Sequence, residues 1–294
     1  MSVEVALCPL CGALQSNLFD RRIAQTHTIT NRLCSECGLV YQSPRMSGSE
    51  LEAFYQEEYR QLYQGDQGPT AKDLKVQSLR ASSLLAFARV RIPAVSRHLD
   101  IGCSAGLLLQ QFQTAYCSQP AGVEPGAAYR QYARGLGLSV YASLEELRAE
   151  NQAPFDLVSM AHVLEHIPEP VAYLENLRSN LLAPEGWLLL EVPNLYAHNC
   201  FEIAHLVSYS PNTLRQTVQK AGFELLAFKQ HGQPRSEIIP LYLTLLARPA
   251  ADRDNAYPVT PERGVRLKRR LGMLQRQVWT RISPQRAWLS IPAS

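Results

Sequence analysis

From residue 97 to residue 249, short apolar runs alternate with helix-length amphipathic segments, and nothing else in the chain restricts its fold so strongly. The runs are 97–101 (RHLDI), 121–124 (AGVE), 138–141 (LSVY), 155–160 (FDLVSM), 187–192 (WLLLEV), 223–230 (FELLAFKQ) and 241–248 (LYLTLLAR). Helices fit between them at 105–116, 126–136, 143–150, 169–182 and 210–221. Parallel strands need a crossover long enough to hold a helix, so this alternation predicts βαβ units. The last two runs are joined by a segment too short for a crossover helix and should pair antiparallel. The helix near 210 carries its own punctuation, with Ser210 as N-cap, Pro211 at the first helical position and Gly222 past its end. The expected fold class is α/β, with a seven-stranded, mostly parallel sheet.

The first strand runs into LDIGCSAG at 99–106, a glycine loop that opens a helix. A dinucleotide loop, G-x-G-x-x-G, fails here because Ser104 and Leu107 stand where glycines are needed. A hydrolase elbow, G-x-S-x-G, is met literally by Gly102, Ser104 and Gly106. The third pattern, D-x-G-x-x-x-G, belongs to the cofactor loop of class I methyltransferases, and Asp100, Gly102 and Gly106 match it. Spacing selects the third. Glu124 ends the next strand about 20 residues on, where an acid can bind ribose hydroxyls. A hydrolase has no use for that carboxylate, and its elbow comes deeper in the sheet. Asp100 can orient the loop or accept from a cofactor amino group, and Cys103 contributes backbone contact rather than nucleophilic chemistry.

Seven cysteines are present, and four of them form CPLCG at 8–12 and CSECG at 34–38. Two C-x2-C pairs, each followed by glycine, can surround one tetrahedral Zn²⁺, the glycine allowing the left-handed turn after the second ligand. A unit of about 45 residues buries too little to fold alone, so a metal staple at Cys8, Cys11, Cys34 and Cys37 makes physical sense. Four thiolates leave no open position, which makes the zinc structural or a platform for substrate. An odd cysteine count without an export signal argues against a disulfide framework. No stretch of about 18 apolar residues exists, so no transmembrane helix is expected, and cytoplasmic residence follows by default.

The expected organisation is a zinc module at 1–45, a helical linker or lid at 46–96, the cofactor domain at 97–249 and a basic tail at 250–294. Residues 261–294 hold eight Arg/Lys and one acid, Glu262, and are therefore +7 in a chain of net +3. The rest is −4, unlike a nucleic-acid binder. Apolar residues spaced among the tail's arginines suggest a basic amphipathic helix that docks on the protein, on a partner or on an anionic membrane, or else a solvated tail.

Taken together, LDIGCSAG, AGVEPG at 121–126, FDLVSMAHVLEHIPEP at 155–170, PEGWLLLEVPN at 184–194 and HLVSYSPNTL before AGFE resemble class I S-adenosylmethionine-dependent methyltransferases in motif and order. The resemblance covers about 97–249. It implies a Rossmann-like sheet of seven strands with the last antiparallel, a bound S-adenosylmethionine and a small-molecule acceptor, a sugar or sugar nucleotide among the candidates, methylated on oxygen or carbon. The cysteine pairs make the chain similar to a subgroup with an N-terminal zinc-binding module, which includes deoxysugar C-methyltransferases. Ubiquinone-type O-methyltransferases are also similar. The chain has Ala204 where the C-methyltransferases place a Glu before the active-site His, and only about 45 residues follow its last strand. The resemblance makes Asp100, Gly102, Cys103, Gly106, Glu124, Pro125 and His162 the cofactor residues. His205 is the candidate catalytic base or substrate contact, its alternative being a core-facing histidine. Glu165 and His166 read either as a signature that caps the following helix or as functional groups, Glu165 holding the local loop and His166, like His162, a candidate base. Tyr55, Tyr59 and Tyr63 are either a lid over the cofactor or a packing stripe. An RNA-binding methyltransferase with a zinc ribbon and an inert cofactor-binding module are the competing functions.

Overall fold

The alternating segments form one sheet in the computed structural model, which describes residues 3–24, 27–48, 50, 68–150, 154–251 and 257–290. Tyr55, Tyr59 and Tyr63 lie outside the described residues. The sheet contains β4 (Arg97–Ile101), β5 (Gln119–Val123), β6 (Ser139–Tyr141), β7 (Phe155–Ala161), β8 (Leu182–Pro193), β10 (Phe223–His231) and β11 (Tyr242–Pro249). Its order is β10-β11-β8-β7-β4-β5-β6. The four pairings from β8 to β6 are parallel, and β11 runs antiparallel to both β8 and β10, as the short connection required. The strand order reverses between β4 and β7, the place in such sheets where the chain leaves a crevice at the carboxyl edge. Strand β8 begins five residues before the expected 187, because apolarity marks only its buried part while backbone pairing reaches beyond the core.

Helices α2 (Leu107–Tyr116), α3 (Ala127–Gly135), α4 (Leu144–Ala149), α5 (Pro170–Asn180) and α6 (Pro211–Lys220) cover the sheet. Ser210 caps α6 as expected, accepting from the Thr213 amide, with Pro211 next to it. Ahead of the sheet, α1 (Ala71–Arg89) starts at a Thr70–Asp73 capping box. It packs Ala81, Leu84 and Ala88 against Leu108 and Phe112 of α2.

A second sheet is built from β1 (Ser16–Ala24), β2 (His27–Cys34) and β3 (Val40–Gln42), and it takes its fourth strand, β9 (Val207–Ser208), from the far side of the chain. Leu10, Leu39 and Tyr41 share one core with Leu206, Val207 and Leu214. The N-terminal unit thus lies against the loop that follows β8.

The basic tail docks on the protein. Its helix α7 (Val265–Ile282) precedes a short α8 (Pro284–Ala287). Gly272 lies against the Tyr196 carbonyl so closely that a Cβ would sit 2.1 Å from the oxygen. Arg269 donates to the carbonyls of Leu195 and His198, and Arg276 to that of Ala197. Among the described residues no helix is long and apolar enough to cross a membrane.

Candidate functional site

A cavity of about 710 Å³ opens at the carboxyl edge of β4, β5, β7 and β8. Asp100, Gly102, Cys103, Glu124, Pro125, His162 and His205 all line it, whereas Gly106 does not. The glycine loop is shaped by packing. Gly102 and Gly106 have left-handed backbone, with φ of 72° and 79°. A Cβ at either would lie 2.4 Å from a neighbouring side chain, Val163 or Leu138 respectively. Gly106 therefore seats α2 beside α3 and its following loop rather than facing the cavity.

At this end two carboxylates stand 24 residues apart in sequence. Asp100 is buried and accepts from Ser159 Oγ at 2.6 Å, and Ser159 in turn accepts from His98 Nε2 at 2.8 Å. Burial pushes Asp100 up to about 7, and the Glu124 charge adds to this against the Ser159 hydrogen bond. Burial holds His98 down at about 3, so it enters the chain as a neutral donor. Glu124 accepts from the Ser104 amide at 3.0 Å and the Gly126 amide at 2.6 Å, which ties the glycine loop to the turn after β5. Cys103 is buried against Gly122, and burial keeps it a thiol.

The other end is a cluster of histidines and buried acids. His162, with φ of 59°, sits 3.4 Å from Glu165 and 3.3 Å from Glu191. Burial and the Arg80 charge push its pKa down, but the two carboxylates outweigh them and it is raised. Glu191 also meets Arg80 at 2.8 Å and His231 at 3.2 Å. Burial alone would raise both acids, yet the His162 hydrogen bond and the neighbouring histidines hold Glu165 down at about 2, and hydrogen bonds from His162 and His231 with the Arg80 charge lower Glu191 as well. This overturns the capping role expected of Glu165. The carboxylate turns inward to His162, and the N-cap of α5, Glu169, has no side-chain cap bond.

His205 is 7% exposed and stacks edge-on with His166, ring centres 4.9 Å apart. Its Nδ1 bonds the Cys200 carbonyl at 2.9 Å, which selects the tautomer that donates from Nδ1 and leaves a lone pair on Nε2. Glu202, three residues back, reaches 3.7 Å from that Nε2. His166 bonds the Ala204 carbonyl at 2.9 Å, and burial holds it down at about 4. Gln42 of β3 aims its amide at the carbonyls of Glu202 and His205, at 2.7 and 2.8 Å. Helix α1 supplies Gln77, whose side chain accepts from the Ala105 amide at 3.2 Å, and Arg80. Sequence reasoning missed Gln42, Gln77, Arg80, Ser159 and Glu191. Only Glu191, an acid inside the apolar run WLLLEV, left a local signal.

Two groups of potential ligands occur among the described residues: Glu165, His166 and His205 beside the cavity, and the four cysteines. In the second, Cys8 and Cys37 sulfurs lie 3.5 Å apart, as do those of Cys11 and Cys34, and all four Sγ atoms fall within 4.8 Å of one another. Gly12 and Gly38 take the left-handed turns predicted for them. Hydrogen bonds from Cys37 and Cys8 lower the Cys34 thiol, while donation to Cys34 raises Cys37 and pushes Cys8 up to about 12. The cluster is pinned to α6 by Lys220, which donates to the Leu10 carbonyl at 2.6 Å.

Comparison with known proteins agrees with this geometry. A family model described as a methyltransferase domain matches residues 74–227, more than half of the chain. The chain is 35% identical over 114 residues to a ubiquinone biosynthesis O-methyltransferase of Xanthomonas campestris pv. campestris, covering 36% of this chain and 46% of that protein. It is 31% identical over 106 residues to the enzyme of the same name from Haemophilus ducreyi, covering 33% and 44%. The chain thus spans less than half the length of these curated relatives. In fold it is similar to the 1,6-didemethyltoxoflavin-N1-methyltransferase of Burkholderia thailandensis, solved with bound 1,6-didemethyltoxoflavin and S-adenosylhomocysteine. The TM-score is 0.55 at 18% identity, over 79% of this chain and 100% of that one. With the sheet order, the glycine loop and the family match in agreement, the chain belongs to the class I S-adenosylmethionine-dependent methyltransferases.

Proposed function

We propose that the chain transfers a methyl group from S-adenosylmethionine to a hydroxyl of a small-molecule acceptor. The observation that carries this reading is one cavity lined both by two carboxylates and a glycine loop and by His205, whose Nδ1 is held by the Cys200 carbonyl. The residues fit the cofactor. Glu124 lines the cavity just past the end of β5, where the Ser104 and Gly126 amides orient its carboxylate, the acceptor chemistry that ribose hydroxyls require. Asp100 faces the cavity as an acceptor for a cationic amino group. Bound there, S-adenosylmethionine supplies an electrophilic methyl group on a sulfonium. His205 takes the hydroxyl proton at Nε2, while the Cys200 carbonyl holds the ring in the required tautomer. Gln42 keeps the loop that carries His205 in place. The O-methyltransferase relatives favour an oxygen acceptor. Labelled cofactor incubated with phenols and sugar nucleotides, with products read by mass spectrometry, tests this. Oxygen-methylated product is expected, and a panel with bound cofactor but carbon-methylated product alone would overturn the choice of atom.

The four cysteines, in this reading, hold one structural Zn²⁺. A tetrahedral zinc with bonds of ~2.3 Å separates its sulfurs by ~3.8 Å, close to the spacing here. Elemental analysis of protein purified without chelator should return one zinc per chain, and metal-free folded protein would remove the assignment.

A further inference from the structure

Helix α7 is amphipathic in the reverse of the usual sense. Its inward face is held by arginines. Arg266 donates to the carbonyls of Leu18 and Phe19, Arg269 packs over the Phe201 ring at 4.3 Å, and Arg276 packs over Trp288 at 4.8 Å. Its outward face is apolar. Leu267, Leu271, Leu274, Val278 and Ile282 follow one another at intervals of four, three, four and four residues, which makes one stripe along a helix. They are 47–71% exposed, an unusual concentration of large aliphatic side chains in water. Val265 is the only residue of the helix buried outright. A helix whose role ended at docking would place these side chains inward.

Charge identifies the occupant. Residues 263–290 contain no Asp or Glu. Arg270 and Arg281 flank the stripe on one side, both exposed, and on the other side Lys268 is exposed but paired with Glu262 at 3.0 Å. The spacing would suit a pair of such helices, but two copies would bring Arg270 and Arg281 together with no acid on either helix to pair with them. An anionic lipid surface accepts both features at once. It takes an apolar ridge into the boundary between headgroups and acyl chains and pairs the flanking cations with headgroup phosphates. We infer that α7 is an interfacial helix that seats the protein on an anionic membrane surface through this stripe. The seat is rigidly coupled to the site proposed above, because Arg269 and Arg276 grip the 195–200 loop, whose His198 lines the cavity.

Co-sedimentation of the full chain tests this with vesicles of mixed phosphatidylglycerol and phosphatidylcholine, and of phosphatidylcholine alone. The chain should partition at least about tenfold more strongly onto the anionic vesicles, and high salt should weaken this. The double variant L271D/V278D, both positions exposed, should lose binding while its melting temperature and cofactor affinity stay unchanged. R270Q/R281Q should weaken it in part. Absence of wild-type binding to anionic vesicles, or equal binding of L271D/V278D, overturns the inference. So does a solution dimer, seen by light scattering, that L271D/V278D dissociates in a chain that ignores vesicles; the stripe would then be a contact between copies.

Discussion

At one end of the cavity Asp100 and Glu124 stand where β4 and β5 finish, each placed by its own strand and each bonded to nearby backbone or hydroxyl groups. At the other end Arg80, His162, Glu165, Glu191 and His231 meet from α1, the turn after β7, β8 and β10. The first arrangement is local and sets two carboxylates along the cavity wall. The second is a cluster in which buried acids and basic side chains from four elements approach within 2.8–3.4 Å of one another. The contrast separates groups placed to bind from groups placed to hold the wall. It also separates the two neighbouring histidines. His162 is clamped between two acids, whereas His205 lines the cavity with its Nδ1 committed to the Cys200 carbonyl and only Glu202, 3.7 Å away, as the acid beside its Nε2.

The largest effect should come from the charge cluster. Glu191→Ala leaves Arg80, His162 and His231 without their shared buried partner, and loss of one side of a buried ion pair costs about 3–5 kcal/mol. Denaturant titration should read a loss of that order. A change below about 1 kcal/mol would mean that water already screens the cluster, and the contrast would collapse.

His205→Ala should retain cofactor binding and lower turnover by about 10²-fold or more, as expected for a lost general base. Once an acceptor is in hand, steady-state kinetics beside calorimetric cofactor affinity decide this. Full turnover would return His205 to packing and leave positioning as the source of rate.

Glu124→Ala should weaken S-adenosylmethionine by ~1–3 kcal/mol through lost charge-assisted hydrogen bonds. An unchanged dissociation constant in a folded variant would take Glu124 out of the binding end.

The smallest effect is a pH dependence. Because burial raises Asp100 to about 7, its protonated form belongs to the folded state. The stability this lends the empty protein is complete below the ordinary carboxylate pKa and is lost as pH rises through about 7. A cationic amino group prefers the ionised form, so cofactor affinity should rise with pH over the same window. From pH 6 to 8 the expected gain is about tenfold, the ratio of ionised fractions. Calorimetry should show it, with proton release near neutrality, and Asp100→Asn should flatten it. A slope that survives in Asp100→Asn belongs to another group.

How much of this was legible beforehand depends on distance along the chain. Alternation of period 2 and 3.6, the glycine loop and the cysteine spacings each speak within a few residues. The strands, the antiparallel end of the sheet, the four clustered thiols and the two strand-end carboxylates were therefore readable from the sequence alone. Gln42 and His205 are 163 residues apart, and Arg80 and Glu191 are 111 apart. No local pattern links such partners, since only the order of strands in the sheet brings them together. The tail shows the division most clearly. Its spacing predicted a helix with an apolar and a basic side, but the sequence is indifferent to which side faces the protein. The tertiary structure decided that, because the 195–200 loop presents carbonyl oxygens and the Phe201 ring, which arginines satisfy and leucines cannot.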